Sequence, residues 1–218
     1  MVAAAACPAA RAYEADAAEF YRSITGDWVG TCEQNTDGQP AEKKFFCANI
    51  RQTNPSTFES RFDYFRIDAA TGKAVRAGDA SVVISINPDG AAAARIVGKG
   101  TILVDHKPKP QQHEFTETQV CRSPGTLEGV TSGTIKISNM PLGLGKNGKI
   151  RSGRSSWRFS GDALSIDQKL TVGFRVLFFS KNFDVEAHYT ARRGSDIAGL
   201  ISRGSQVSLG PAGRAAVP

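Results

Sequence analysis

The feature that most constrains this chain is a change of hydrophobic period near residue 26. Before it, Tyr13, Ala17, Phe20, Tyr21 and Ile24 recur at helical spacing, and Thr25-Gly26 then supplies the glycine expected just past a helix end. After it, apolar residues alternate with a period of two, and Gly, Pro, Asn and Asp recur as punctuation. The alternation predicts strands over 27–35, 43–53, 57–67, 80–87, 93–105, 112–122, 130–139, 149–160, 163–172, 174–180 and 182–193. Turn signals stand at Thr71-Gly72, Asn87-Pro88-Asp89-Gly90, Asn147-Gly148 and Gly161-Asp162, and Asn-Gly favours a tight hairpin most strongly. No further helical pattern interrupts the series. That excludes a parallel sheet, whose strands need long crossover connections, usually helical. The expected architecture is all-β: an up-and-down antiparallel β-barrel of about 8–10 strands with a short N-terminal helix, because closure removes the exposed edges of the sheet. A β-sandwich is the alternative.

The same alternation sorts side chains onto two faces. Strand 57–67 sets Phe58, Phe62 and Tyr64 against Glu59, Arg61 and Asp63, and Phe65 and Ile67 then break the pattern as a bulge would. Ile96, Gly98, Gly100, Ile102 and Val104 align on a second strand, and Trp157 and Phe159 oppose Arg154 and Arg158 on a third. Leu164, Ile166, Gln168 and Leu170 share a face, as do Phe183, Val185, Ala187, Tyr189 and Ala191. A barrel of eight or more strands either encloses one small ligand or is filled by its own side chains. Small residues on the apolar face (Ser60, Gly98, Gly100, Ala187) favour a cavity. The candidate lining is Phe62, Tyr64, Ile102, Val104, Trp157, Phe159, Gln168, Leu170 and Tyr189, with Gln168 its lone polar member.

The net charge of +6 lies wholly in residues 110–218. No acid occurs between Glu128 and Asp162, a gap that holds Lys136, Lys146, Lys149, Arg151, Arg154 and Arg158. Such a basic hairpin, 136–158, can attract an anionic membrane surface or an acidic protein. It lacks the aromatic platforms and recognisable motif of a nucleic-acid module, so no nucleic acid is expected. Residues 1–12 are Ala-rich and acid-free, and Ala10-Arg11-Ala12 fits a signal-peptidase site, so they read as a signal or transit remnant or else a disordered end. Residues 202–218 show no periodicity and read as a disordered tail, which leaves one domain over 13–201. The four cysteines, Cys7, Cys32, Cys47 and Cys121, have no zinc or redox spacing. Cys32 and Cys47 fall on consecutive strands and are candidates for a disulfide. Such a bridge implies an oxidising, extracytoplasmic compartment: secreted, periplasmic or an organellar lumen.

A helix, then Gly26-Asp27-Trp28 opening the first strand, then a β meander resembles the calycin superfamily of lipocalin-like barrels. The resemblance implies that a basic side chain of the last strand, Arg192 or Arg193, packs over Trp28 at one barrel end. It also implies carriage of a small hydrophobic, lipid-like molecule. A branch similar to nitrobindin holds haem through a histidine near the end of the last strand, where His188 stands. Alternation puts His188 with Asp184, Glu186 and Arg192 on the polar face, so no cofactor is expected.

Catalytic signatures are sparse. His106 and His113 with Glu114 flank Lys107-Pro108-Lys109-Pro110, which reads as a turn bearing polar surface or a metal or acid–base pair. Gly143 to Gly148 matches G-x-G-x-x-G, but a strand follows where a dinucleotide site needs a helix. No catalytic or metal-ligating set emerges. The expected function is a non-catalytic binding or carrier protein for a small hydrophobic ligand. The alternatives are a barrel enzyme of isomerase or cyclase type, which needs ionisable groups pointing inward, and a filled barrel that docks through hairpin 136–158.

Overall fold

Asp16 caps the first helix, α1 (Ala17–Ser23), by accepting a hydrogen bond from the Ala18 N–H at 2.8 Å. The computed structural model describes residues 16–39, 41–68, 71–104, 107–137, 144–176 and 179–208. Ala17, Phe20, Tyr21 and Ile24 are buried, as the helical spacing requires. Ten strands follow: β1 (Gly26–Thr36), β2 (Glu42–Asn54), β3 (Thr57–Ile67), β4 (Ala74–Ile86), β5 (Ala92–Val104), β6 (Lys107–Ser123), β7 (Thr126–Ile137), β8 (Leu144–Ser160), β9 (Ala163–Val176) and β10 (Phe179–Arg193). Each pairs antiparallel with its sequence neighbour, and β1 pairs with β10, so the sheet closes into a barrel. The closing register runs from Trp28 opposite Arg193 to Thr36 opposite Val185. The expected bulge in β3 is present, as a register shift at Tyr64/Phe65.

The inward face is apolar and the outward face polar. Outward pairs such as Arg95–Glu114 (2.7 Å), Arg122–Glu128 (2.9 Å) and Lys169–Glu186 (2.8 Å) lace neighbouring strands. This is the inverse of a lipid-facing barrel, whose outer band is apolar. Two apolar clusters fill opposite parts of the interior. One gathers Phe20, Tyr21, Trp28, Phe58, Ile84 and Leu127 around α1, which closes that end. The other gathers Phe115, Ile135, Ile150, Val172, Phe174 and Val185 between β6 and β10. Each fully buried Phe or Leu here contributes about 2 kcal/mol through the apolar surface it removes from water.

Four expectations about secondary structure need correction. A second helix, α2 (Ile197–Ser208), follows the barrel and enters the stretch expected to be a tail. It packs on the outside of β1 and β2, where Val29 and Phe45 are buried although their register positions face outward. Its apolar positions are few, so periodicity alone did not reveal it. Residues 1–12 and 209–218 lie outside the described residues. The separate strand over 174–180 does not exist. β9 runs through Gly173 to Val176, and Gly173 lies beneath the Arg151 side chain instead of breaking the strand. Asn147-Gly148 is no hairpin turn: both sit inside β8, and a Cβ at Gly148 would stand 2.5 Å from the Phe174 ring. Lys107 to Pro110 likewise belong to β6, not to a turn.

The disulfide expectation fails for a reason of parity. Cys32 pairs in register with Lys44, whereas Cys47 pairs with Val29 and Asp63. Cys32 therefore points into the barrel and Cys47 out of it, and Cys32, Cys47 and Cys121 are all free thiols. The argument for an oxidising compartment that rested on this bridge falls with it.

Candidate functional site

At the helix end, Gly26 turns the chain with φ 131°, and Trp28 is buried in the closed end of the barrel beneath α1. Its indole N–H donates to the Ile24 carbonyl at 2.7 Å, and its ring meets Phe159 edge-on at 6.0 Å. Of the two candidate arginines, Arg193 is the one over the indole, 4.8 Å from the ring centroid. It also donates to the carbonyls of Thr25 (2.8 Å) and Ser23, two acceptors at the helix end, while Arg192 stands at the opposite parity of β10, paired with Val29. One side chain thus ties α1 to the last strand.

Between the two apolar clusters lies a cavity of about 140 Å³. Of the expected lining, Phe62, Tyr64, Trp157, Gln168, Leu170 and Tyr189 border it. Phe159 does not: it belongs to the Trp28–Arg193 stack. The side chains of Ile102 and Val104 lie outside the described residues. The lining approaches the outer surface around Gly78, Asp79, Lys99, Gly100, Thr101 and Gln111, beside the β5–β6 connection.

The interior is more polar than alternation suggested. At the floor, Glu117 on β6 is 1% exposed. Its Oε1 accepts from Gln119 Nε2 (2.6 Å), Ser155 Oγ (2.7 Å) and Trp157 Nε1 (3.3 Å), and its Oε2 accepts from Thr131 Oγ1 (3.0 Å). The Tyr21 hydroxyl, reaching down from α1, donates to Gln119 Oε1. Gly129 on β7 makes this possible, because a Cβ there would overlap both Glu117 and Ser155. Burial, and then the Glu117 charge, push the Tyr21 phenol well above its ordinary range.

Nearer the mouth, Lys44 points inward and is 6% exposed. Its ammonium meets Gln34 Oε1 (3.2 Å), the Thr101 carbonyl (3.0 Å) and Glu42 Oε2 (3.1 Å), so each of its three protons has an acceptor. His113 stacks on Phe115 with centroids 4.7 Å apart, and burial pushes its imidazole down to about 4, so it is neutral at pH 7. Glu114, its expected companion, points outward to Arg95, and His106 lies outside the described residues. Cys32, Tyr64 and Tyr189 share one wall, and burial pushes the Cys32 thiol up to about 11. That thiol is no nucleophile at neutral pH. His188 sits on the outer face, its Nδ1 2.6 Å from Asp167.

Alternation found the aromatic wall but not Glu117, His113 or Lys44. The run Phe115-Thr116-Glu117-Thr118-Gln119 did contain the signal: Glu117 and Gln119 stand at the parity of Phe115.

No family model matches the sequence, and no curated protein matches it. Solved structures do match. The chain is similar to Rv2717c from M. tuberculosis at 13% identity with a TM-score of 0.52, over 83% of this chain and 99% of that one. A similarity to the S-type phycobiliprotein lyase CPES from Guillardia theta has 10% identity and a TM-score of 0.49, over 84% and 94% of the two chains. The fold is that of the calycin-like, lipocalin-like ten-stranded barrels.

Proposed function

We propose that this protein is a non-catalytic carrier that holds one small, largely apolar molecule inside its barrel. The observation that carries the reading is the cavity of about 140 Å³ with aromatic walls, floored by α1. An apolar cavity of roughly 150 Å³ binds a benzene-sized molecule. The occupant is therefore of single-ring size, smaller than a long-chain lipid. Catalysis is disfavoured although ionisable groups do point inward. Lys44 has an acceptor for every proton, Glu117 is held by four donors, and His113 is neutral. None is left poised to exchange a proton with a substrate. Native mass spectrometry of gently purified protein, followed by organic extraction, tests the reading. A bound apolar molecule is expected. A clean apo mass, with no rise in Tm on saturation with toluene, benzyl alcohol or benzylamine, overturns it.

A second reading rests on a different observation. Lys136, Lys149, Arg151 and Arg154 are exposed, and none pairs with a carboxylate among the described residues, whereas Arg61, Arg76, Arg95, Arg122, Arg158 and Lys169 all do. The side chain of Lys146 lies outside the described residues. The unpaired strip supports docking of an anionic membrane surface or an acidic protein. Sedimentation with phosphatidylserine vesicles, lost at high salt and absent with phosphatidylcholine, tests the membrane arm. Salt-sensitive retention on a poly-glutamate resin tests the acidic-protein arm.

A further inference from the structure

A buried carboxylate is costly unless something compensates its charge, and proteins usually supply a lysine, arginine or metal. Glu117 has none. All four of its partners are neutral donors, and no basic side chain pairs with it among the described residues. The nearest inward basic groups on its own strand and across the lumen serve other ends. His113 is four residues up β6, roughly 13 Å away along the strand, and neutral. Lys44 is committed to Glu42, Gln34 and Thr101. Glu117 nonetheless borders the cavity. Its four contacts are distributed unevenly: three donors crowd Oε1, while Oε2 accepts only from Thr131. A carboxylate oxygen accepts two hydrogen bonds readily, so Oε2 retains capacity. Tyr21, Phe62, Tyr64, Trp157 and Tyr189 line the same cavity, and aromatic π-systems attract cations.

We infer that the cavity's ligand is a small organic cation: a protonated amine or nitrogen heterocycle on a single-ring-sized apolar body, its N–H directed at Glu117 Oε2. The inference rests on the carrier reading and adds the charge of the cargo. Each part of the site has a role in it. The neutral donors hold the carboxylate in one orientation, Gly129 leaves room for them, the aromatic wall receives the apolar body, and the ligand brings the missing positive charge. A neutral hydrocarbon of the same size would fill the volume but leave the charge uncompensated. An anion would meet repulsion from Glu117, and the buried Lys44 has no proton to offer it.

The test needs no variant at first. Benzylamine, benzyl alcohol and benzoate have nearly the same size and differ in charge. Their affinities for the full chain at pH 7 are compared by calorimetry, alongside ¹H–¹⁵N spectra of the two tryptophan indoles. Benzylamine is expected to bind at least tenfold more tightly than benzyl alcohol, with benzoate weakest. The Trp157 indole resonance should shift, because that N–H donates to Glu117, while the Trp28 resonance, bonded to Ile24, stays in place. Glu117→Gln should bring benzylamine to the level of benzyl alcohol. If that variant does not fold, Ser155→Ala and Thr131→Val, which loosen the carboxylate without removing it, should each weaken benzylamine severalfold and spare benzyl alcohol. Equal or reversed affinities for amine and alcohol, or an unmoved Trp157 resonance, overturn the inference and leave carriage standing. Binding of none of the three probes overturns the carrier reading as well.

Discussion

Acidification should remove stability through one identifiable side chain. His113 is folded into the barrel against Phe115, and its imidazole is pushed down to about 4, first by burial and further by the positive charge of Lys44, with Asp79 opposing. In the unfolded chain a histidine titrates near 6.5. Between those values the folded state binds fewer protons than the unfolded one, so stability rises with pH there. The contribution is complete above pH 6.5 and is lost as pH falls toward 4. The gap from 6.5 to about 4 is worth about 3 kcal/mol, at about 1.4 kcal/mol per pH unit. The assay is urea unfolding of wild type and His113→Gln at pH 7.5, 6.5, 5.5 and 4.5. Carboxylates titrate in both proteins and cancel in the difference. Wild type should lose about 2–3 kcal/mol more than the variant over that range. Parallel stability curves would falsify the argument, because they would mean that His113 protonates without cost where it stands.

Arg193→Ala should cost roughly 2 kcal/mol in chemical denaturation, since it removes charged hydrogen bonds to two carbonyls as well as the contact with Trp28. Arg193→Lys should recover less than half, because one ammonium cannot span both acceptors over an indole face. Thiol titration of unreduced protein in denaturant should find Cys32, Cys47 and Cys121 all free, and the native protein should protect Cys32; two missing thiols would restore a bridge. Gly129→Ala should destabilise by roughly 1–3 kcal/mol in urea unfolding, by driving a methyl group into Glu117 and Ser155. A cost below a few tenths would mean that the donor cluster shifts freely.

The barrel was legible because closure is a property of a series. A period of two sustained from residue 27 to residue 193, with no intervening helix, leaves an antiparallel sheet that must either close or protect its edges. The inward positions of Phe62, Tyr64, Trp157, Leu170 and Tyr189 followed from the same parity. Turn residues misled where tertiary contacts outweighed local preference. Asn147-Gly148 stays extended because Gly148 is needed under the Phe174 ring, and Gly173 is needed under Arg151. A glycine that admits a close neighbour looks the same in sequence as one that turns the chain. The disulfide failed for the converse reason: two strands can be adjacent while their cysteines occupy opposite faces, and one residue of register decides which.

What the sequence alone determined is periodic and local: one capped helix, a succession of alternating strands, the apolar side of each, and an uneven charge. What only the tertiary structure decided is which inward groups meet. Tyr21, Gln119, Glu117, Thr131, Ser155 and Trp157 come from the helix and three strands, and they form one hydrogen-bonded floor because closure brings α1 over β6, β7 and β8. Lys44 finds the Thr101 carbonyl 57 residues away across the lumen. Alternation states only that a side chain points inward. The partners it finds there depend on the curvature and stagger of the closed sheet, which no single strand encodes.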